Sequence, residues 1–213
     1  MNRAHLRLGL GALFAAVSLI AAGVAEGTPT RTTGGTVVFG AEGEPPCLNG
    51  ALEGCNNTWT AWTAGIALPG AYIVKPNFSF RPYMVSRTDV TKKPFTLTYH
   101  IRQKAKWSDG KSVTADDFIF TWKTFVDPKN EIASRSGYDS ITKAKKINAK
   151  TVRFTFSKTY APYKTIFTAI YPKHVLAGQN FNEVWNNNLN KPGTSLSIAS
   201  GPSRSADTRR ARA

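Results

Sequence analysis

Two adjacent carboxylates, Asp116 and Asp117, are the side chains of this sequence that come closest to a pair able to do acid–base chemistry. Neighbouring carboxylates act as acid and base when their environments hold their pKa values apart. Both residues, however, follow Thr114 at the start of a segment with helical periodicity, where such side chains cap the helix and interact with its positive end. We therefore expect these aspartates to begin a helix and not to catalyse.

Other catalytic and metal-binding patterns do not occur in the sequence. There are three histidines, His5, His100 and His174, and none has the spacing of a zinc ligand relative to the two cysteines. We find no glycine-rich phosphate loop, no His-Glu metal motif and no Gly-x-Ser-x-Gly elbow. The residue inventory therefore predicts no catalytic residue, no metal ligand, no cofactor and no enzymatic activity.

The two cysteines, Cys47 and Cys55, are separated by seven residues that include two glycines. In an exported protein the oxidising compartment favours a disulfide between them. A loop of this length restricts the unfolded chain modestly, by about 2–3 kcal/mol on the chain-entropy view. Two free thiols are the alternative.

The elements that must position these residues follow from apolar periodicity. Alternation of apolar and polar residues predicts a strand at 95–101, with His100 on the polar face, and another at 151–156. We predict a helix or strand at 140–147, a helix at 163–170 and a short helix at 181–185. Four further elements precede them: a buried strand at 36–39, a helix over 58–68, an extended segment at 72–85 and a turn at 108–111. A second long helix is predicted to begin at Thr114 and to stop at Asp127–Pro128. The pattern is mixed α and β.

The N-terminus has the three parts of a secretory signal peptide. A short positive segment, 1–7, precedes 17 residues without a charge, 8–24, and small residues follow at 23–25. We expect residues 1–25 to be removed on export; an uncleaved membrane anchor is the alternative.

The charge balance is strongly basic, with 28 lysines and arginines against 13 aspartates and glutamates and a formal net charge of +15. An anionic partner is therefore admissible. The cations are scattered, however, and we do not expect nucleic-acid binding. From Gly193 onward, the chain is dominated by Ser, Thr, Gly, Ala and Arg, and we expect that stretch to be disordered.

The segment WSDGKSVTADDFIFTW, Trp107 to Trp122, resembles the signature of the family 5 extracellular solute-binding proteins, which serve ABC importers for oligopeptides and dipeptides. Several further segments agree in the same order: 40–45, 97–102, 152–156 and 171–176. The resemblance extends from about residue 34 to residue 202.

This resemblance implies an α/β fold of the periplasmic-binding-protein class II type, with two lobes that close over a ligand. It implies that 26–68 begins the first lobe, that 69–160 is an inserted subdomain carrying the signature, and that 161–202 returns to the first lobe. In the family, a second lobe follows the point at which this sequence ends. Residues 203–213 depart from the family pattern, and we expect an aberrant, disordered basic tail and a truncated or frameshifted product. One lobe alone offers half the contacts, and losing about 4 kcal/mol of contact weakens binding roughly a thousandfold.

The resemblance also places the ligand wall on the loop after the first strand. Glu44 and Pro45 lie in this loop, and Trp59 and Trp62 follow it. Glu44 is expected either to face a peptide amine or to lie in solvent, and the two tryptophans either to line the groove or to pack in the core. Trp107 and Asp109 are expected to be structural.

The expected function is the substrate-binding component of a peptide ABC importer, exported to the periplasm or cell surface, monomeric, with a membrane permease as its partner. The alternatives are a receptor for nickel, a sugar or an opine, and a secreted basic protein that binds anionic polymers. A nickel site would need His100 or His174 near the cleft.

Overall fold

A computed structural model describes residues 40–202 of the chain. The predicted signal peptide 1–25, the predicted strand 36–39 and the predicted tail 203–213 lie outside the described residues. The elements, in order, are α1 (Thr58–Gly65), β1 (Tyr72–Val74), β2 (Phe80–Pro82), β3 (Val85–Lys92), β4 (Phe95–Ile101), α2 (Ala115–Val126), β5 (Ile141–Asn148), β6 (Thr151–Phe156) and α3 (Lys173–Leu176), with 3-10 turns at Glu53–Cys55 and Tyr163–Thr165.

Of the two sheets in residues 40–202, the larger is antiparallel, with strand order β3-β4-β6-β5, and β1 and β2 pair separately. Alternation along β4 and β6 places one set of side chains on a buried face, and this set includes Leu97, Tyr99, Val152 and Phe154. The strands predicted at 95–101 and 151–156 are confirmed. Segment 140–147, predicted as a helix or a strand, is the strand β5.

Helix α2 begins with the predicted cap. The Asp117 carboxylate accepts hydrogen bonds from the Thr114 backbone N–H (2.8 Å) and hydroxyl (3.2 Å). Asp117 also accepts the Lys173 N–H at 2.9 Å, so it joins α2 to α3. Phe118, fully buried, packs against Tyr99 of β4 at 5.6 Å between ring centroids. The expectation that this carboxylate caps a helix is therefore confirmed.

The segment 163–170, predicted as a helix, is helical only in the 3-10 turn Tyr163–Thr165. The reason is that its backbone groups bond to other elements: the Phe167 N–H donates to the Tyr138 hydroxyl at 2.6 Å, and the Phe167 carbonyl accepts the Ala71 N–H at 2.8 Å. Phe167 has a positive φ of 54°. The short helix predicted at 181–185 is likewise wrong, since these residues form turns.

The stretch from Gly193, predicted to be disordered, is ordered as far as Pro202 in the described part of the chain. The Ile198 N–H donates to the Leu189 carbonyl at 2.8 Å, and the Ile198 side chain is fully buried. Backbone bonds from Ser200 and Gly201 to Ala67 attach this stretch to the end of α1. The composition argument failed because two apolar residues, Ile198 and Ala199, are enough to anchor a short polar segment.

One hydrophobic core contains residues from all three segments of the predicted division: 40–68, 69–160 and 161–202. The segments meet at Gly70, where a Cβ atom would lie 2.1 Å from the Phe167 carbonyl oxygen. Only glycine permits this approach of two backbones. The division into a first lobe, an inserted subdomain and a return stays a prediction.

Candidate functional site

A cleft of about 440 Å³ lies between helix α1 and two connecting segments, 134–138 and 160–171. The α1 side consists of small residues, the opposite side is polar, and aromatic rings lie between them. The lining residues are Gly50, Ala51, Asn56, Asn57, Thr60, Ala61, Ala64, Gly65, Leu68, Phe125, Ser134, Ser136, Tyr138, Tyr160, Thr165, Thr168, Ala169 and Tyr171.

Helix α1 presents its small residues to the cleft because of their spacing. Asn57 caps the helix, its side-chain oxygen accepting the Thr60 N–H at 2.9 Å. Thr60, Ala61, Ala64 and Gly65 then recur at intervals that place them on one side of a helix. Short side chains on this side leave the space that forms the cleft.

Aromatic rings form the apolar part of the cleft. Phe125 and Tyr138 are 4.5 Å apart between ring centroids, and both are buried, as is Tyr171. Burial raises the pKa of Tyr138 and of Tyr171, so both phenols stay neutral at physiological pH. The Tyr138 hydroxyl accepts the Phe167 N–H, and this bond holds the ring in position.

The residues that line this cleft include no Asp, Glu, Lys, Arg or His, although the whole chain is strongly basic. Hydroxyls and amides supply its polar groups; Ser136 and Tyr160, for example, lie 3.5 Å apart between their hydroxyl oxygens. Neutral hydrogen-bonding groups beside apolar rings suit a ligand that is itself uncharged where it touches this wall. A charged group would lose its hydration here without gaining a counter-charge.

The ligand residues predicted from the sequence lie elsewhere. Trp59 and Trp62 are on the side of α1 that faces away from the cleft, with their rings 5.2 Å apart in an edge-to-face arrangement. Trp62 is 48% exposed and Trp59 is half-buried, so the alternative of a core position is wrong for Trp62. Glu44 is exposed and Pro45 is half-buried, and neither lines the cleft. A role of these four residues in ligand binding stays a prediction.

The predicted disulfide joins Cys47 to Cys55, whose Cα atoms are 5.3 Å apart. The loop that it closes contributes Gly50 and Ala51 to the cleft. The Thr60 hydroxyl donates to the Cys47 carbonyl at 2.8 Å and so binds the loop to α1. The disulfide therefore supports one edge of the cleft.

The remaining titratable candidates lie outside the cleft. His100 pairs with Asp89 at 2.7 Å on the exposed face of the large sheet, as expected of a surface histidine. His174 pairs with Asp109 at 2.8 Å. Within residues 40–202 no group of three or more His, Cys, Asp or Glu side chains is placed to hold a metal ion. In the same range no helix is long and apolar enough to cross a membrane.

Sequence reasoning missed the polar side of the cleft. Ser134, Ser136, Tyr160 and Thr168 come from irregular segments in which no periodicity marks a shared face. Their common position results from the bonds of the 160–171 segment to α2 and to the chain around residue 71. The one available signal was the density of hydroxyl and aromatic residues in 134–138 and 160–171.

Comparison with known proteins gives consistent relationships. Residues 79–202, more than half of the chain, match the model of the family described as "Bacterial extracellular solute-binding proteins, family 5 Middle". A protein of Mycobacterium tuberculosis, "Probable monoacyl phosphatidylinositol tetramannoside-binding protein LpqW", is 30% identical over 158 residues, which are 70% of this chain and 24% of LpqW. "Oligopeptide-binding protein OppA" of Bacillus subtilis is 32% identical over 123 residues, 49% of this chain and 22% of OppA.

The three-dimensional structure also resembles that of a periplasmic binding protein. The solved structure of the periplasmic EDTA-binding protein EppA superposes with a TM-score of 0.68 at 28% identity, covering 76% of this chain and 32% of EppA. The chain thus spans between a fifth and a third of the length of these proteins. Its mixed α/β fold is that of part of a periplasmic binding protein.

Proposed function

Because the chain belongs to the bacterial extracellular solute-binding proteins of family 5, we propose that it is the substrate-binding component of an ABC importer for peptides. The observation that carries this proposal is the uncharged cleft between α1 and the segments 134–138 and 160–171. The interior of a peptide is neutral and offers one N–H and one carbonyl per residue. Serine, threonine and asparagine side chains can bond those groups whatever the peptide sequence.

The aromatic rings supply the other half of peptide recognition. Phe125, Tyr138 and Tyr171 offer apolar surface to a ligand side chain. The small residues Ala61 and Ala64 leave room for side chains of different sizes. A cleft of this kind binds many peptides with little selectivity, as a nutrient importer requires.

In the described part of the chain, α1 forms one wall of the cleft and the segments 134–138 and 160–171 form the other. The cleft is open to solvent between them. We propose that tight binding needs a second lobe that closes over the peptide and excludes water. Residues 40–202 by themselves are then expected to bind peptides weakly, at millimolar concentrations. A micromolar affinity measured by calorimetry with mixed peptides would contradict this expectation.

Receptors for metal chelates, sugars and opines are the alternatives within the same fold. Metal chelates and opines commonly carry ionised carboxylates, and the cleft offers no counter-charge among its lining residues. A nickel site built on histidine finds no support in the cleft, since His100 and His174 pair with aspartates elsewhere. The uncharged lining therefore favours a neutral ligand, such as the interior of a peptide, over a charged chelate or opine.

The test uses a readout that detects weak binding. Saturation-transfer NMR with a mixture of short peptides is expected to give a signal that Ala61→Trp abolishes, because the indole would fill the cleft. Thr63→Trp, exposed on α1 and not part of the lining, is the matched control and is expected to keep the signal. Equal signals from both variants, or a signal from a metal chelate and none from peptides, would contradict the proposal.

A further inference from the structure

The positive charge of the protein is concentrated in one part of its sequence. Residues 80–156, from β2 to the end of β6, contain 16 lysines and arginines and seven aspartates and glutamates. The other described residues, 40–79 and 157–202, contain five lysines and arginines and four acids. Nearly all of the excess charge of the described chain therefore lies on the large sheet, on α2 and on their connections.

The large sheet has one face covered by the core. On the opposite face the side chains from β3 and β5 are exposed, whereas Thr96 and Thr98 of the central strand β4 are buried. Residues paired across neighbouring strands share a face, so the register defines this second face, which we call the outer face. It consists of three cross-strand rows: Arg87, His100, Thr151 and Asn148; Asp89, Thr98, Arg153 and Lys145; Thr91, Thr96, Thr155 and Lys143.

The cations of the outer face point into solvent. Arg87, Lys143, Lys145 and Arg153 are all exposed. The single acid in the three rows, Asp89, is already engaged, accepting from Arg87 at 3.1 Å and pairing with His100 at 2.7 Å. The side of the face formed by β5 and β6 thus carries three cations and no acid.

Two of these cations stand in an unfavourable position. Lys145 of β5 and Arg153 of β6 are direct cross-strand partners on the same face. Like charges placed opposite each other destabilise a sheet. Arg153 reaches across to the Thr98 hydroxyl at 3.1 Å, which is a neutral acceptor and does not offset the repulsion. An external anion over this pair would remove the cost.

We propose that the outer face docks on the anionic headgroups of a phospholipid bilayer. The face is about 15 Å by 20 Å from the spacing of four strands and the rise of seven residues, and cations spread over such an area suit a plane of headgroups. The three rows contain no Trp, Tyr or Phe on which nucleic-acid bases would stack. An exported protein that docks in this way would stay close to the membrane.

The test compares two triple variants of the full chain. Lys143→Gln, Lys145→Gln and Arg153→Gln together remove the cations of the β5–β6 side. Lys75→Gln, Lys164→Gln and Lys191→Gln remove three cations from the part of the chain that carries little excess charge. Partitioning is measured with vesicles of phosphatidylcholine that contain one third phosphatidylglycerol. Vesicles of phosphatidylcholine alone are the reference for membrane binding that does not depend on lipid charge.

The wild-type chain is expected to prefer the anionic vesicles, and added salt is expected to weaken that preference. Each cation near an anionic surface strengthens membrane binding about fivefold. The outer-face variant should therefore prefer anionic vesicles roughly a hundredfold less than the wild type does, and the preference of the control variant should change little. An equal loss in both variants would overturn the proposal, as would equal partitioning of the wild type into both kinds of vesicle. Binding to soluble polyphosphate without binding to anionic vesicles would also overturn it.

Folding is checked in the same samples. The three substituted side chains are exposed, and the outer-face variant removes the Lys145–Arg153 repulsion, so its thermal unfolding temperature should equal or exceed that of the wild type. If that variant unfolds at a lower temperature, Lys145→Gln alone replaces it and is expected to show about a fivefold loss. An unchanged preference in a folded variant would contradict the docking.

Discussion

At the scale of single residues, Asp109 has consequences for the pH dependence of stability. The residue lies in the turn 108–111, which the Asp-Gly pair predicted and in which Gly110 has a φ of 86°. Burial acts to raise the pKa of Asp109, but the Lys111 N–H and the His174 ring outweigh it and hold this pKa below its usual value. A carboxyl whose folded pKa is depressed stabilises the fold above its unfolded pKa, about 3.8, and loses that contribution as the pH falls through the folded value.

We therefore predict that Asp109→Asn lowers the free energy of unfolding at pH 7 by about 1.5 kcal/mol, the lower end of the range for a lost hydrogen bond to a charged group. The difference from the wild type should shrink as the pH falls below 4. Urea denaturation at pH 7 and pH 3 measures both quantities. Asp139→Asn, an exposed carboxylate, is the control and should follow the wild type. A deficit of the same size at both pH values would show that Asp109 acts through its shape and not through its charge.

At the scale of elements, local patterns predicted the parts of the fold that local interactions determine. Apolar and polar residues alternate strictly along strands β4 and β6, and α2 begins with a recognisable cap. All three elements could therefore be predicted from the sequence. Strand β3 was not, because its outward residues are polar and its edge position leaves most of its side chains exposed. For α1 the helix was predicted over 58–68, with Trp59 and Trp62 on one face. The structure buries the opposite, small-residue face.

The position of the cleft could not be predicted from the sequence either, because its residues form no local pattern. Its residues are small or hydroxylated, so they carry no hydrophobic signal, and they come from segments that tertiary hydrogen bonds hold in place. Thr60 and Ala64, the buried residues of α1, give a much weaker hydrophobic signal than the two tryptophans of the same helix. Family resemblance supplied the fold, whereas the position of the cleft had to come from the structure.

The loop closed by Cys47 and Cys55 leads to a prediction at this scale. Reduction of the disulfide is expected to lower the free energy of unfolding by about 2.5 kcal/mol, the chain-entropy value for a loop of this length. It should also weaken the peptide NMR signal, because Gly50, Ala51 and the Thr60–Cys47 bond lie at the edge of the cleft. Denaturation with and without reductant gives the first quantity. A double Cys47→Ser, Cys55→Ser variant controls for the reductant, and its stability should not change when reductant is added.

At the scale of the whole molecule, the three predicted segments depend on one another. A single core includes residues from all of them, and the backbone crossing at Gly70 and Phe167 joins the second segment to the third. A second close contact lies at Gly201, where a Cβ atom would stand 1.9 Å from the Ile66 carbonyl oxygen. We therefore expect that residues 69–160 do not fold independently of the segments that flank them, and that the described chain unfolds in one cooperative transition.

Substitution at the crossing tests this dependence. In Gly70→Ala the added methyl group would meet the carbonyl oxygens of Phe167 and Thr168, and neither backbone can retreat without disturbing Tyr138 or Ala71. We expect a loss of about 3 kcal/mol, the upper range for overpacking, in a single transition observed alike by far-ultraviolet circular dichroism and by tryptophan fluorescence. Gly54→Ala, which meets nothing within 4 Å, is the control and should change stability by less than about 0.5 kcal/mol. If Gly70→Ala instead separated the two signals into two transitions, residues 69–160 would be able to fold without the segments that flank them, and the shared core would not be what holds the molecule together.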